Sequence, residues 1–172
     1  MRRKSVKTVD LKCDMADALF ELMKEKDFSK ITIDELTKRA KVGRVTYFRN
    51  FKSKEEIVSF KLFTLWREWS QEHGIEEHHQ FTVENSKDFF EFNYSIREYI
   101  DLIYKAKSEQ TIYDAFYEVM KPQFEIDGVL SQYEVRFYCY GIFGLLDYWV
   151  KNGYKETPEE MTEFMHRRFK ED

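Results

Sequence analysis

Proline and glycine are scarce in this chain, 2 and 6 of 172 residues, so few positions break helices or supply tight turns and long helices are expected. Cysteine is as rare. Cys13 and Cys139 lie far apart in sequence and offer no disulfide scaffold. The four histidines are scattered without metal-ligand spacing, so neither a metal nor a cofactor is expected. Long apolar runs are missing too: the longest charge-free one, Phe137 to Leu146, is about half of the roughly 20 residues a membrane-spanning helix needs. Residues 1 to 15 begin basic but contain Asp10 and Asp14 and no apolar centre, unlike a secretory leader. These absences predict a cytoplasmic protein with no membrane partner.

What is present is core material and an uneven charge. Hydrophobic residues make up 42% of the chain and aromatics 17%, which excludes a disordered polar chain. The net charge of -4 divides unequally. Residues 1 to 65 carry 16 Lys+Arg against 10 Asp+Glu, whereas residues 66 to 172 carry 12 against 22. A basic N-terminal part can approach phosphate although the whole chain is acidic, because attraction follows the local field. Solvated surface is the plainer account of the same asymmetry.

Apolar periodicity divides the chain into helices. Leu11, Met15, Leu19, Leu22 and Met23 recur every three or four residues, predicting a first helix over 9–25 with Arg2, Arg3 and Lys4 as a basic arm before it. Thr32 and Glu35 have capping-box spacing and open a short second helix. It ends near Lys41, Val42 and Gly43, and a third segment, Arg44 to Asn50, follows at once. Two short helices joined so tightly must cross, which is the helix-turn-helix arrangement. Ser53 and Glu56 repeat the capping spacing before a connecting helix to about residue 71. His73, Gly74 and residues 76–80 read as a loop. One helix is expected over about 82–105, and another from Ser108 until Pro122 stops it. Ser131 and Glu134 are expected to cap a helix ending at Lys151, with Asn152 and Gly153 as its left-handed stop. Thr157, Pro158 and Glu160 predict a last helix over about 158–169.

The ordered set Ile31, Thr32, Ile33, Ala40, Thr46, Tyr47, Phe48, Phe51 and Lys54 resembles the DNA-binding module of the TetR/AcrR family of regulators, over roughly residues 10 to 60. The resemblance implies an all-α fold: an N-terminal three-helix helix-turn-helix domain, 1–53, joined to a C-terminal helical ligand-binding and dimerisation bundle, 54–172. It implies a sequence-specific transcriptional repressor, not an enzyme, acting as a homodimer on double-stranded DNA and released from a palindromic operator by an effector. An activator, or a regulator answering to a protein partner, would use the same reading module. A helical enzyme is the weaker alternative, since no nucleophile or metal constellation is recognisable.

The expected DNA-binding residues are Thr32, Arg44, Val45, Thr46, Tyr47, Phe48, Arg49, Lys52 and Lys54. Arg44 can fork onto guanine O6 and N7, Thr46 offers a hydroxyl and a methyl, and Lys54 suits phosphate. The family usually carries its phosphate-contacting tyrosine where this chain has Phe48, preceded by an apolar core residue where it has Tyr47. The family also prefers a small residue at Val45 and a serine cap at Gly43. Further along, Tyr138 to Tyr154 looks like the penultimate helix of the family, which with the last helix forms its dimer interface. Tyr140, Phe143, Gly144, Trp149, Phe164 and Phe169 are the expected dimerisation residues. Gly141 and Gly144 either admit a partner helix or relieve crowding by neighbouring rings. Phe89, Phe92, Tyr99, Tyr113, Phe116, Tyr117 and Met120 are expected to line a pocket for a small hydrophobic or aromatic effector; ordinary core packing is the competing account. Asp147 is expected to bind a cationic group, to pair with a buried basic residue, or to lie on an exposed helix face.

Overall fold

The computed structural model describes residues 2–75, 83–121 and 129–169, all helical or in connections between helices. The order is α1 (Arg2–Glu25), a 3-10 turn (Phe28–Lys30), α2 (Ile33–Arg39), α3 (Arg44–Asn50), α4 (Lys54–Glu72), α5 (Ser86–Ser95), α6 (Arg97–Lys105), α7 (Gln110–Met120), α8 (Val129–Lys151) and α9 (Pro158–Phe169). The fold is all-α, with an N-terminal helix-turn-helix and a C-terminal helical bundle. It divides into two compact units, one of Met1–Thr64 with Leu102–Ile112, the other of Leu65–Asp101 with Tyr113–Asp172.

In the first unit, Met15, Leu19, Leu22 and Met23 form the buried stripe of α1, and Leu36, Tyr47, Phe51, Ile57 and Val58 complete the core. The helix is longer than its apolar pattern, because it begins at Arg2. The arm expected at residues 2–4 is therefore helical backbone. Thr32 closes α2 with a full capping box: its hydroxyl accepts from the Glu35 amide, and the Glu35 carboxylate accepts from the Thr32 amide. At α4 the capping is split between neighbours. Ser53 Oγ accepts from the Glu56 amide at 3.2 Å, while the Glu56 carboxylate accepts from Lys52 N at 2.7 Å.

Among the described residues, four helices end the same way. After α2, Val42 N donates to Thr37 O and Lys41 N to Lys38 O; after α6, Ser108 N donates to Ile103 O and Lys107 N to Tyr104 O. The ends of α4 and α8 repeat this pair of bonds around Gly74 and Gly153. This Schellman closure requires a left-handed residue just past the helix. Glycine fills it at 74 and 153, with φ of 68° and 74°, but lysine fills it at 41 and 107, with φ of 54° and 55°.

In the second unit α5 packs against α9. Trp149, near the end of α8, is buried: its ring meets Phe90 of α5 edge-on at 5.6 Å, and its Nε1 donates to Glu156 O at 2.8 Å. The capping box of α9 forms as expected, with Glu160 N donating to Thr157 Oγ1 and Thr157 N to the Glu160 carboxylate.

Two further expected boundaries are corrected. The helix predicted over 82–105 is broken at Ile96, whose φ of -101° and ψ of 15° are not helical. Side-chain back-bonding accounts for the break: Ser95 Oγ donates to Phe92 O at 2.6 Å and Asn93 Nδ2 to Phe89 O at 2.8 Å, competing with the backbone ladder. Likewise α8 begins at Val129, so Ser131 lies inside its first turn and is not its cap. The loop at 76–80 and the stop at Pro122 lie outside the described residues.

Candidate nucleic-acid interface

The brief turn between α2 and α3 leaves α3 with one face on the core and one outside. Tyr47 is only 2% exposed, while Val45 and Phe48 are 70% and 61% exposed. Arg44 and Arg49 are exposed beside them, Lys52 follows on the same surface, and Thr46 is half-buried. The outward row thus combines two guanidiniums, an ammonium, a branched aliphatic side chain and a phenyl ring.

Arg44 is held by an exposed ion pair, its Nη1 lying 2.9 Å from Asp34 Oδ1, with its guanidinium 5.9 Å from the centre of the Phe48 ring. A pair so open to solvent is worth about 0–1 kcal/mol. It orients the guanidinium in the free protein without committing it.

Helix geometry settles which ring of the reversed pair faces inward. Position 47 is the buried one, so its ring enters the core although it carries the hydroxyl, and burial raises the Tyr47 pKa. Tyr47 meets Phe48 edge-on at 5.0 Å. Its hydroxyl is therefore withdrawn from the outer surface, and of the two roles open to Tyr47, DNA contact and core residue, the packing of the free chain has the second. Phe48 presents only carbon there.

Lys54 also differs from expectation. Its ammonium donates to Phe28 O at 2.6 Å and Ile31 O at 2.8 Å and lies 4.5 Å from the centre of the Phe28 ring. Desolvation lowers its pKa. The charge expected to meet phosphate instead ties the first turn of α4 to the 3-10 turn. Thr32 is exposed, with its hydroxyl occupied by Glu35. Glu35 in turn accepts from Lys26, and these bonds hold its carboxyl down to about 2.

Sequence reasoning missed the other braces of this module. Arg39 forks onto Glu25 at 2.8 and 2.9 Å, Lys61 pairs with Asp17 at 2.7 Å, and the Lys12 ammonium sits 5.0 and 5.2 Å from the Phe51 and Phe60 rings. Partners so far apart in sequence leave no periodic signal.

The residues expected at an effector pocket divide. Tyr113 and Met120 are buried with Val135 and Cys139, and Phe116, Tyr117 and Phe143 pack against them. Phe89 approaches this cluster through Phe116 at 5.3 Å. Phe92 packs instead on Trp66 and Trp69, at 5.1 and 5.8 Å. Tyr99 is half-buried on α6. The Tyr113 hydroxyl is buried with no partner at hydrogen-bond distance among the described residues, and its ring stacks on Tyr140 at 4.1 Å.

The expected dimerisation residues divide as well. Trp149 is buried in the interior of the chain and forms no part of an outer face, while Phe143 is half-buried against the Tyr113 cluster. Tyr140 and Phe169 are about half exposed; Phe164 lies 6.2 Å from Phe169. Gly144 is exposed, and a Cβ built at Gly141 or Gly144 meets no atom within 4 Å, which removes the crowding account of these glycines. Three rings were missed: Tyr133, Phe137 and Tyr148, exposed by 68%, 82% and 69%. Their spacing with Tyr140, Gly141 and Gly144 was a readable helical stripe. Asp147 pairs with Lys151 at 2.8 Å, one turn away on the same helix.

Fold and outward α3 together define a helix-turn-helix protein with a helical C-terminal bundle. Residues 16–59 match the family described as bacterial regulatory proteins, tetR family, and residues 80–171 match a transcriptional regulator C-terminal region of the same family. The chain belongs to the TetR family of DNA-binding transcriptional regulators. Its fold is that of the Listeria innocua protein Lin0861, whose crystal structure aligns with a TM-score of 0.76 over 94% of this chain and 90% of that one, at 17% identity. No curated protein matches the sequence. Among the described residues no helix is long and apolar enough to cross a membrane, and no group of three or more His, Cys, Asp or Glu is placed to hold a metal.

Proposed function

We propose that this regulator is a ligand-responsive repressor that binds a palindromic operator as a homodimer and is released by a small effector. In this reading residues 1–53 are the DNA-reading domain and residues 54–172, beginning with the connecting helix α4, are the effector and dimer domain. The observation that carries it is the outward row of α3. Arg44 reads a guanine edge, Val45 and Phe48 meet thymine methyls or sugar, Thr46 touches the groove edge, and Arg49 and Lys52 contact phosphate. Lys54 acts through position, holding α4 beside the recognition helix, and Thr32 acts as the cap of α2. Two copies of α3 then enter major grooves about 34–36 Å apart.

The exposed stripe of α8, with Phe169 of α9, supports a symmetric dimer, since it repeats at helical spacing around two open glycines. The cluster about Tyr113 supports an aromatic or hydrophobic effector carrying a polar group that bonds the buried Tyr113 hydroxyl. Such an effector releases DNA only by binding the non-DNA-binding conformation more strongly.

Genomic pull-down of protein-bound DNA, followed by anisotropy titration of the recovered motif, tests the proposal. The expected result is a palindromic motif whose affinity falls as salt rises, with a slope of about -0.9 per phosphate neutralised. Binding without sequence preference at low salt would overturn it.

A further inference from the structure

The first unit contains a cleft of about 340 Å³ between the end of α1 with its 3-10 turn and the end of α6. This is at the lower end of the size of small-molecule sites, about 300–1,000 Å³. Its lining is of two kinds. Met23, Phe28 and Leu102 give an apolar floor, while Lys26, Lys105 and Lys107 stand with the single acid Asp27.

The charges are not evenly engaged. Lys26 is paired with Glu35 and Asp27 with Lys30, while Lys105 and Lys107 are exposed and make no ion pair within 4 Å among the described residues, Lys105 meeting the field of Asp27 only at longer range. Lys107 also occupies a left-handed Schellman position, φ 55°, where glycine is the low-energy choice. Stability by itself does not call for lysine there. An ammonium beside an apolar floor gives it a use.

We propose that this cleft binds a small amphiphilic carboxylate, its apolar tail on Phe28 and Leu102 and its carboxylate between Lys105 and Lys107. The site is separate from the cluster around Tyr113. It has a direct route to the DNA-reading module, because Phe28 lines the cleft and also holds Lys54, through its carbonyl and its ring. Seating a ligand against Phe28 alters the anchor of α4 next to α3. That coupling rests on the DNA-binding reading; the binding itself does not.

Amide chemical-shift titration of the full chain with sodium octanoate, in the absence of DNA, is the test, with inorganic phosphate as the second probe. Octanoate is expected to shift Phe28, Ser29, Leu102 and Ala106 saturably, and phosphate to bind much more weakly for want of a tail. The paired change Lys105→Gln with Lys107→Gly should weaken octanoate binding by about tenfold or more, the scale of a lost charge-assisted hydrogen bond. Both positions are exposed, and the second change relieves the left-handed backbone, so the fold is kept. No saturable shift at these residues up to millimolar octanoate would overturn the proposal, as would equal affinity in the variant. Phosphate binding as tightly as octanoate would overturn the amphiphile assignment. A DNA titration with and without octanoate then reads the coupling: binding with unchanged operator affinity removes the route through Phe28, and absent operator binding with intact octanoate binding faults only the DNA reading.

Discussion

Lys41 stands in the helix-turn-helix turn with φ of 54°, where a side chain meets its own backbone and glycine does not. Lys41→Gly should therefore stabilise the fold by about 0.5–1 kcal/mol, read as a higher urea midpoint at constant slope. Glu35 has the opposite sensitivity, to pH. Its carboxyl, normally at 4.5, is held at about 2 by Lys26 and by the Thr32 amide and hydroxyl. A depressed acid contributes stability in full above its unfolded value and loses it as pH falls toward the folded one. Unfolding titrations between pH 5 and 2 should show a steeper loss for the parent chain than for Glu35→Gln; parallel curves would remove this contribution. Lys54→Met should cost about 1–3 kcal/mol, because two carbonyls of the 3-10 turn lose their donor. A variant of parental stability with weakened salt dependence of DNA binding would restore Lys54 as a phosphate contact.

At the scale of the element, α3 is an amphipathic helix of seven residues whose outer face carries the chemistry. Breaking the exposed Asp34 pair costs Arg44 little, so its energy is available to a base edge. Arg44→Ala should lower discrimination at one operator base pair by about 1–3 kcal/mol, whereas Arg49→Ala should weaken all sequences alike and flatten the salt slope. Anisotropy against a panel of single-base operator variants separates the two; a uniform loss for Arg44→Ala would reassign it to phosphate. The same element shows why inversion of Tyr47 and Phe48 relative to the family pattern is tolerated. The core takes the Tyr47 ring, and the outer surface at Phe48 carries carbon where the family carries a hydroxyl.

At the scale of the whole molecule, α8 leaves Tyr133, Phe137 and Tyr148 exposed, an apolar display that single-chain packing does not explain. Phe137→Glu should convert a dimer to a monomer in sedimentation equilibrium and lower operator affinity, while leaving the thermal unfolding of the N-terminal unit largely unchanged. A parental dimer mass would move the interface elsewhere. The belonging of Leu102–Ile112 to the first unit is also a property of the whole, since it creates the lysine-rimmed cleft from segments distant in the chain.

Local chemistry made much of this protein readable in advance. Capping pairs at Thr32 and Thr157, the left-handed stop at Gly153 and the stripe of α1 each depend on residues within a turn or two of one another, and the family motif lies within one continuous stretch. The tertiary structure alone decided that Lys54 faces two carbonyls, that Tyr47 goes inside, that Trp149 is core and that Phe137 is not. Those outcomes depend on which distant surface meets each side chain, and hydrophobic burial, being non-directional, leaves that choice to the packing of the assembled helices.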